Sequence, residues 1–157
     1  MVTEGKGRVA ITGATGFLGS HLTERLLRDG YEVSILARDK DKARMFEGRA
    51  HHIVIADITD RSAMAELVAG ADMVIHTVSN FRTASGPPES YHQINVEGTQ
   101  AVVDAAMAAG VKRFVHCATI GVHGNVKHTP ADENAPYAPG DLYQETKLEA
   151  QQYVESV

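Results

Sequence analysis

Tyr143 and Lys147 stand four residues apart in Asp141–Val157, a stretch with helical patterning, so their side chains share one helix face. An isolated phenol, with a pKa near ~10, is a poor base at neutral pH. A neighbouring ammonium favours the phenolate. Such a pair can move a proton on or off a substrate hydroxyl. The plainer reading is an exposed face with an ordinary i,i+4 arrangement. Thr119 follows the apolar run Lys112–Ala118, at the carboxyl end of a candidate strand. Ligands of open α/β sheets sit at that end. A hydroxyl there can hold and polarise a substrate oxygen.

A second chemical signal lies near the start of the chain, in Thr12-Gly13-Ala14-Thr15-Gly16-Phe17-Leu18-Gly19. Gly13 allows a sharp exit from a strand. Gly16 lets a pyrophosphate approach the backbone, and Gly19 lets helix and strand pack closely. The helix start then turns free N–H groups and the positive end of its dipole towards the phosphates. A lone glycine triplet is weak, but this one occupies the first strand–turn–helix. The turn from Gly13 through Thr15, Gly16, Phe17 and Leu18 to Gly19 is therefore expected to cradle a dinucleotide.

The adenosine end should be read by the second strand. NAD sites place an acid roughly 20 residues beyond the glycines. Eighteen residues past Gly19 stands Ala37, followed by Arg38. A guanidinium suits a 2′-phosphate, which favours NADP over NAD. Asp39 is ambiguous: it can serve NAD in part, or open the next helix, where an acid suits the dipole. Asp57 is placed to meet the adenine amino group, or is a turn aspartate. Ile58 beside it and Thr77 after the fourth strand complete the expected cofactor contacts.

These residues need a frame. Short β-branched runs alternate with helical patterns: strands at Arg8–Thr12, Tyr31–Ala37, His52–Ala56, Met73–His76 and Lys112–Ala118. Helices are expected at Gly16–Gly30 (Leu18, Leu22 and Leu26 recurring), Asp39–Glu47, Arg61–Ala69, Tyr91–Ala109 and Asp141–Val157. Ser79–Glu89 reads as a loop, and Gly121–Gly140, with three prolines, as a long irregular segment of the kind that is usually functional. This alternation means βαβ units and an α/β fold: a doubly wound parallel sheet covered on both faces.

Composition agrees. The 157 residues carry 15 Lys+Arg and 20 Asp+Glu, a net charge of −5, with 43 % apolar residues. This is one ordinary globular domain. The negative balance argues against nucleic acid or an anionic membrane as the main partner. No apolar run approaches the ~20 residues of a membrane span, and the start has no signal-peptide pattern. Cys117 is the single cysteine, so no intrachain disulfide forms, and the cytoplasm is the expected location. The eight histidines are scattered without ligand spacing, so no metal site is expected.

Four further stretches line up with the glycine turn: Val74–Ser79, Asn95-Val96-Glu97-Gly98-Thr99, Lys112–Thr119 leading to Gly121-Val122-His123-Gly124, and Tyr143-Gln144-Glu145-Thr146-Lys147. In this order the chain resembles the extended short-chain dehydrogenase/reductase family, the NAD-dependent epimerase/dehydratase group. The resemblance implies a Rossmann-type fold and Thr119, Tyr143 and Lys147 as catalytic triad, with Lys147 also on the nicotinamide ribose. It implies hydride transfer to or from a secondary alcohol or ketone, with a nucleotide sugar or similar small molecule as substrate. Ketone reduction, as in dihydroflavonol-reductase-like members, is the runner-up, and Ala37-Arg38 leans that way. A non-catalytic dinucleotide-binding module or redox sensor is the alternative.

Departures from the family pattern are His123, where a tyrosine is usual, and Val78, where an alanine is common. Asn95 is expected to tie its helix start to the sheet. The helices Tyr91–Ala109 and Asp141–Val157 resemble those that pair across a two-fold axis in the family, implying a homodimer. Against the same pattern, residues 1–157 form an NAD(P)-binding Rossmann domain, C-terminally truncated, with the substrate domain absent and the last helix running to the final residue.

Overall fold

The computed structural model describes residues 6–81, 86–127 and 129–157. Residues 1–5, part of the expected loop Ser79–Glu89 (82–85) and His128 of the expected irregular segment lie outside the described residues. Five strands form: β1 (Arg8–Thr12), β2 (Glu32–Ala37), β3 (His52–Ile55), β4 (Met73–His76) and β5 (Arg113–His116). They make one sheet in the order β3-β2-β1-β4-β5, with every adjacent pair parallel. The sequence order reverses at β1, which lies between β2 and β4 with Val9 in register with both Val33 and Met73.

Successive strand residues point to opposite faces, and the sheet accordingly buries two cores. Val9, Ile11, Val33, Ile35 and Ile75 pack with Phe46 on one side. Helix α1 (Phe17–Arg28) covers that side through Leu22 and Leu26. Ala10, Leu36, Val54 and Val74 belong to the other core. There they meet Met64 and Leu67 of α3 (Arg61–Val68) and Ala101, Val102 and Ala106 of the helix Gly98–Ala108.

Several elements differ from the sequence expectation. The helix expected over Asp39–Glu47 is one turn, α2 (Lys40–Ala43), tightening into a 3₁₀ turn at Arg44–Phe46. Leu18 is not on the α1 stripe. It is 52 % exposed, because Gly19 and Thr23 take the buried face beside Leu22 and Leu26. The helix expected at Tyr91–Ala109 begins earlier, with α4 (Glu89–His92), passes through a π-helical segment (Gln93–Glu97) and continues as α5 (Gly98–Ala108). Helix α6 spans Leu142–Glu155. It opens on Asp141, whose carboxylate accepts from Gln144 N at 2.8 Å, and stops two residues before the chain end, with Ser156 as its cap.

Candidate active site and dinucleotide cleft

The carboxyl end of β1 runs directly into the glycine turn. Gly13 adopts φ +81°, a conformation side chains rarely take, and a Cβ there would strike Thr77. Gly16 N donates to Gly13 O at 2.9 Å and closes the turn. Gly19 lies so close to the Gly13 carbonyl that a Cβ has no space at all. The roles expected for Gly13 and Gly19 as turn and packing glycines therefore have a concrete steric basis. Gly16 itself caps α1 without any side chain to compete for the first amides.

A cleft of about 650 Å³ opens over this turn. Gly13, Thr15, Gly16, Arg38, Ile58 and Thr77 all line it, although they come from four separate stretches of the chain. Phe17 and Leu18 do not; they sit on the first turn of α1, 89 % and 52 % exposed. Gly19 lies beneath the turn. Asp57 also stays off the cleft wall. Its Oδ1 accepts from Thr59 N at 3.1 Å and Thr59 Oγ1 at 2.9 Å, the geometry of the turn aspartate.

At the β2 end Asp39 takes the helix-opening role. Its Oδ1 accepts from Asp41 N at 2.8 Å and Lys42 N at 3.3 Å, capping α2. That leaves Arg38 and Lys42 as the charged groups lining the cleft, both exposed. Lys42 was not singled out from the sequence. Its spacing of four from Arg38 is the signal that could have found it, since both side chains line the same cleft.

Thr119, Tyr143 and Lys147 come from two other elements. Thr119 opens a 3₁₀ turn (Ile120–His123), its Oγ1 accepting from Gly121 N at 3.1 Å. Helix α6 packs against that turn. The Tyr143 ring meets Phe81 edge-on, with centroids 5.1 Å apart. Lys147 is 2 % exposed, and its Nζ donates to the Cys117 carbonyl at 2.6 Å. Burial pushes its ammonium down to about 8. None of the three lines the glycine-turn cleft.

Beneath them two imidazoles stack, His76 and His116, with centroids 5.4 Å apart. The Thr99 hydroxyl gives its proton to Asn95 O at 2.6 Å. It must therefore accept from His76 Nε2 at 2.9 Å, while Nδ1 accepts from Thr12 Oγ1 at 2.6 Å. Burial, with the charges of His116 and Lys147, holds His76 well below its usual range. Burial and Lys147 push His116 down to about 4. Both rings are neutral at pH 7. Both His116 nitrogens are buried with no hydrogen-bond partner among the described residues. Neither ring sits in a cluster of three His, Cys, Asp or Glu side chains able to hold a metal ion; no such cluster occurs among the described residues.

His123 stacks on Tyr137, centroids 5.1 Å apart, and its Nδ1 lies 3.4 Å from Pro136 O. It lines a second hollow of about 490 Å³ within the irregular segment, together with Val126 and Asn134. Val78, Ser79, Asn80 and Ser90 form a wall of the first cleft that sequence reasoning missed. Val78 and Ser79 end the Val74–Ser79 stretch but were not read as cofactor contacts, and Asn80 and Ser90 sit in a loop and a short helix without periodicity or motif. Asn95 bonds to that loop and to α6 rather than to the sheet.

Comparison with known proteins bears on the family and the fold. The model of the NAD dependent epimerase/dehydratase family matches residues 9–157. A 3-beta-hydroxysteroid dehydrogenase of Mycolicibacterium neoaurum is 37 % identical, over 94 % of this chain and 42 % of that protein. An N-acetyl-alpha-D-glucosaminyl-diphospho-ditrans,octacis-undecaprenol 4-epimerase of Escherichia coli O157:H7 is 31 % identical, over 92 % of this chain and 41 % of its own length. Among solved structures, a UDP-glucose-4-epimerase from Stenotrophomonas maltophila with bound NAD superposes with a TM-score of 0.84 at 30 % identity. That superposition covers 96 % of this chain and 48 % of the epimerase. The chain thus spans less than half the length of these relatives.

Proposed function

This chain belongs to the NAD-dependent epimerase/dehydratase family, and on that premise we propose that it binds a nicotinamide dinucleotide in the glycine-turn cleft and serves hydride transfer at a secondary alcohol or ketone. The substrate class is a nucleotide sugar or similar small molecule. The observation that carries the reading is Lys147: a buried ammonium pushed down to about 8, one helical turn from Tyr143 and bonded to the end of the β5 segment. A lysine surrounded by protein at that cost in hydration is explained by use, not by solubility.

The cleft fits the cofactor. Gly13 and Gly19 leave no room for a Cβ, and the tight turn leads into the start of α1, whose free amides would hold a pyrophosphate. Arg38 and Lys42 offer two cations where a 2′-phosphate would lie, and Asp39 is committed to its cap. NADP is therefore preferred to NAD. When bound, the nicotinamide supplies or accepts the hydride. Tyr143 would pass the proton to or from the substrate oxygen, Thr119 would hold that oxygen, and Lys147, on the same helix face as Tyr143, would hold the nicotinamide ribose. The paired helices α5 and α6 are proposed to form a homodimer interface, checked by light scattering at high micromolar concentration.

The test is turnover by the parent and by Tyr143→Phe, with NADP and NAD, on sugar nucleotides, hydroxysteroids and ketones. Tyr143-dependent turnover supports the reading. Dinucleotide binding without any Tyr143-dependent turnover would replace it with the non-catalytic module or redox sensor.

A further inference from the structure

The wall of the cofactor cleft runs along Thr77, Val78, Ser79 and Asn80, and the next residue, Phe81, does not line it. Its ring meets that of Tyr143 instead, with centroids 5.1 Å apart and planes inclined by 71°. Phe81 thus marks the point where the chain passes from the dinucleotide cleft to the phenol assigned to proton transfer.

The backbone on either side of that ring is tied to α4. Asn80 is buried and its Nδ2 donates to Ser90 Oγ at 2.8 Å, while Tyr91 Oη donates to the Phe81 carbonyl at 3.2 Å. The ring is nevertheless 54 % exposed. Single exposed apolar residues are ordinary. This one adjoins Tyr143, and Ile120, 91 % exposed, directly follows Thr119. Each of the two hydroxyls assigned to the substrate oxygen therefore has an exposed apolar neighbour.

Rings inclined this steeply form a corner rather than a stack. A substrate ring laid flat on the Phe81 plane would present its rim, and any oxygen carried there, to the phenol. The C–H face of a saturated ring suits the negative face of an aromatic ring. An open-chain alcohol covers the same plane only by giving up rotamer freedom, which weakens its binding.

We propose that Phe81 is a specificity-determining residue, a flat apolar seat that selects secondary alcohols and ketones whose reacting carbon belongs to a saturated ring. This rests on the function proposed above for Tyr143 and narrows its substrate class.

The test compares the whole chain with Phe81→Leu and Phe81→Tyr, using NADPH with cyclohexanone and its open-chain counterpart hexan-2-one as probes. The parent should favour cyclohexanone by about tenfold in kcat/KM. Phe81→Leu keeps the bulk and loses the plane, so the preference should shrink to about twofold, through KM rather than kcat. Phe81→Tyr should keep it. NADPH affinity should be the same in all three, since Phe81 is not on the cofactor cleft. Saturation-transfer NMR reads the seat without turnover. Magnetisation from aromatic protons should reach bound cyclohexanone in the parent and in Tyr143→Phe, and be largely lost in Phe81→Leu. Equal rates for the two probes in the parent, a preference or a transfer unchanged in Phe81→Leu, a preference lost in Phe81→Tyr, or no cyclohexanone binding by the parent would overturn the proposal. Phe81-dependent binding without any turnover would instead remove the hydride-transfer reading and leave the seat standing.

Discussion

Lys147 donates its ammonium to the carbonyl oxygen of Cys117 across 2.6 Å. Cys117 N in turn donates to His76 O at 3.0 Å, continuing the β4–β5 ladder by one bond. Helix α6 is thus fastened to the carboxyl end of the sheet by a charge-assisted hydrogen bond. Thr119 lies two residues further on. The same bond that anchors the helix therefore sets Tyr143 and Lys147 relative to Thr119.

Replacing that ammonium separates catalysis from folding. Lys147→Met should lower turnover by about 10²–10⁴-fold while the chain still folds. The pH response carries the signature. Lys147 titrates near 8 when folded, below its ordinary 10.5, so between those values the unfolded chain binds more protons. Parent stability should therefore rise from pH 8 towards 10, and Lys147→Met should lack that rise. Urea midpoints at pH 7.5 and 9.5 for both proteins check it.

Arg38→Ala and Lys42→Ala address cofactor choice. Each removes one cation from the cleft wall. NADPH affinity should drop by about tenfold per substitution, with NADH affinity changed less than about threefold, because only the former carries the extra phosphate. Calorimetry with both dinucleotides reads the difference. Equal losses for the two would remove the 2′-phosphate from the account.

Asp39→Ala provides the complementary control. Its carboxylate holds two amides of α2, so the loss should be about 1 kcal/mol of stability with NADH affinity unaltered. A marked loss of NADH binding would show that Asp39 reads a ribose after all.

His116 should make the fold acid-sensitive. Its folded titration lies near 4 against an ordinary 6.5, so across that window the unfolded chain takes up a proton that the folded chain refuses. Stability should fall as pH drops from 6.5 to 4. His76 is shifted in the same direction. Since both His116 nitrogens are buried and unpartnered among the described residues, His116→Leu should be at least as stable at pH 7 and lose less on acidification. Denaturant melts at pH 7, 5.5 and 4.5 test this.

Much of the fold was legible because its signals are local. Val9, Ile11, Val33 and Ile35 are β-branched runs that cannot be anything but buried strands once helical patterns separate them. Gly13 and Gly19 announced their turn through spacing, and the packing around them explains why no other residue fits. The π-segment was not legible. Gln93–Glu97 has the same helical composition as its neighbours, and the four hydrogen bonds of the Asn95 side chain go to three residues, Ser79, Asn80 and Thr146, all distant in sequence.

The linear chain, then, settled the parallel α/β architecture and the tight glycine turn, and it singled out Tyr143 and Lys147 as candidates, since each depends on residue type and short-range spacing. Folding in three dimensions settled the rest. It committed Asp39 to a cap, added Lys42 to Arg38, buried Lys147 deeply enough to pull its titration towards neutrality, and joined the cleft wall to α6 through Asn95. Desolvation and long-range hydrogen bonding depend on which surfaces meet, and no window of neighbouring residues encodes that.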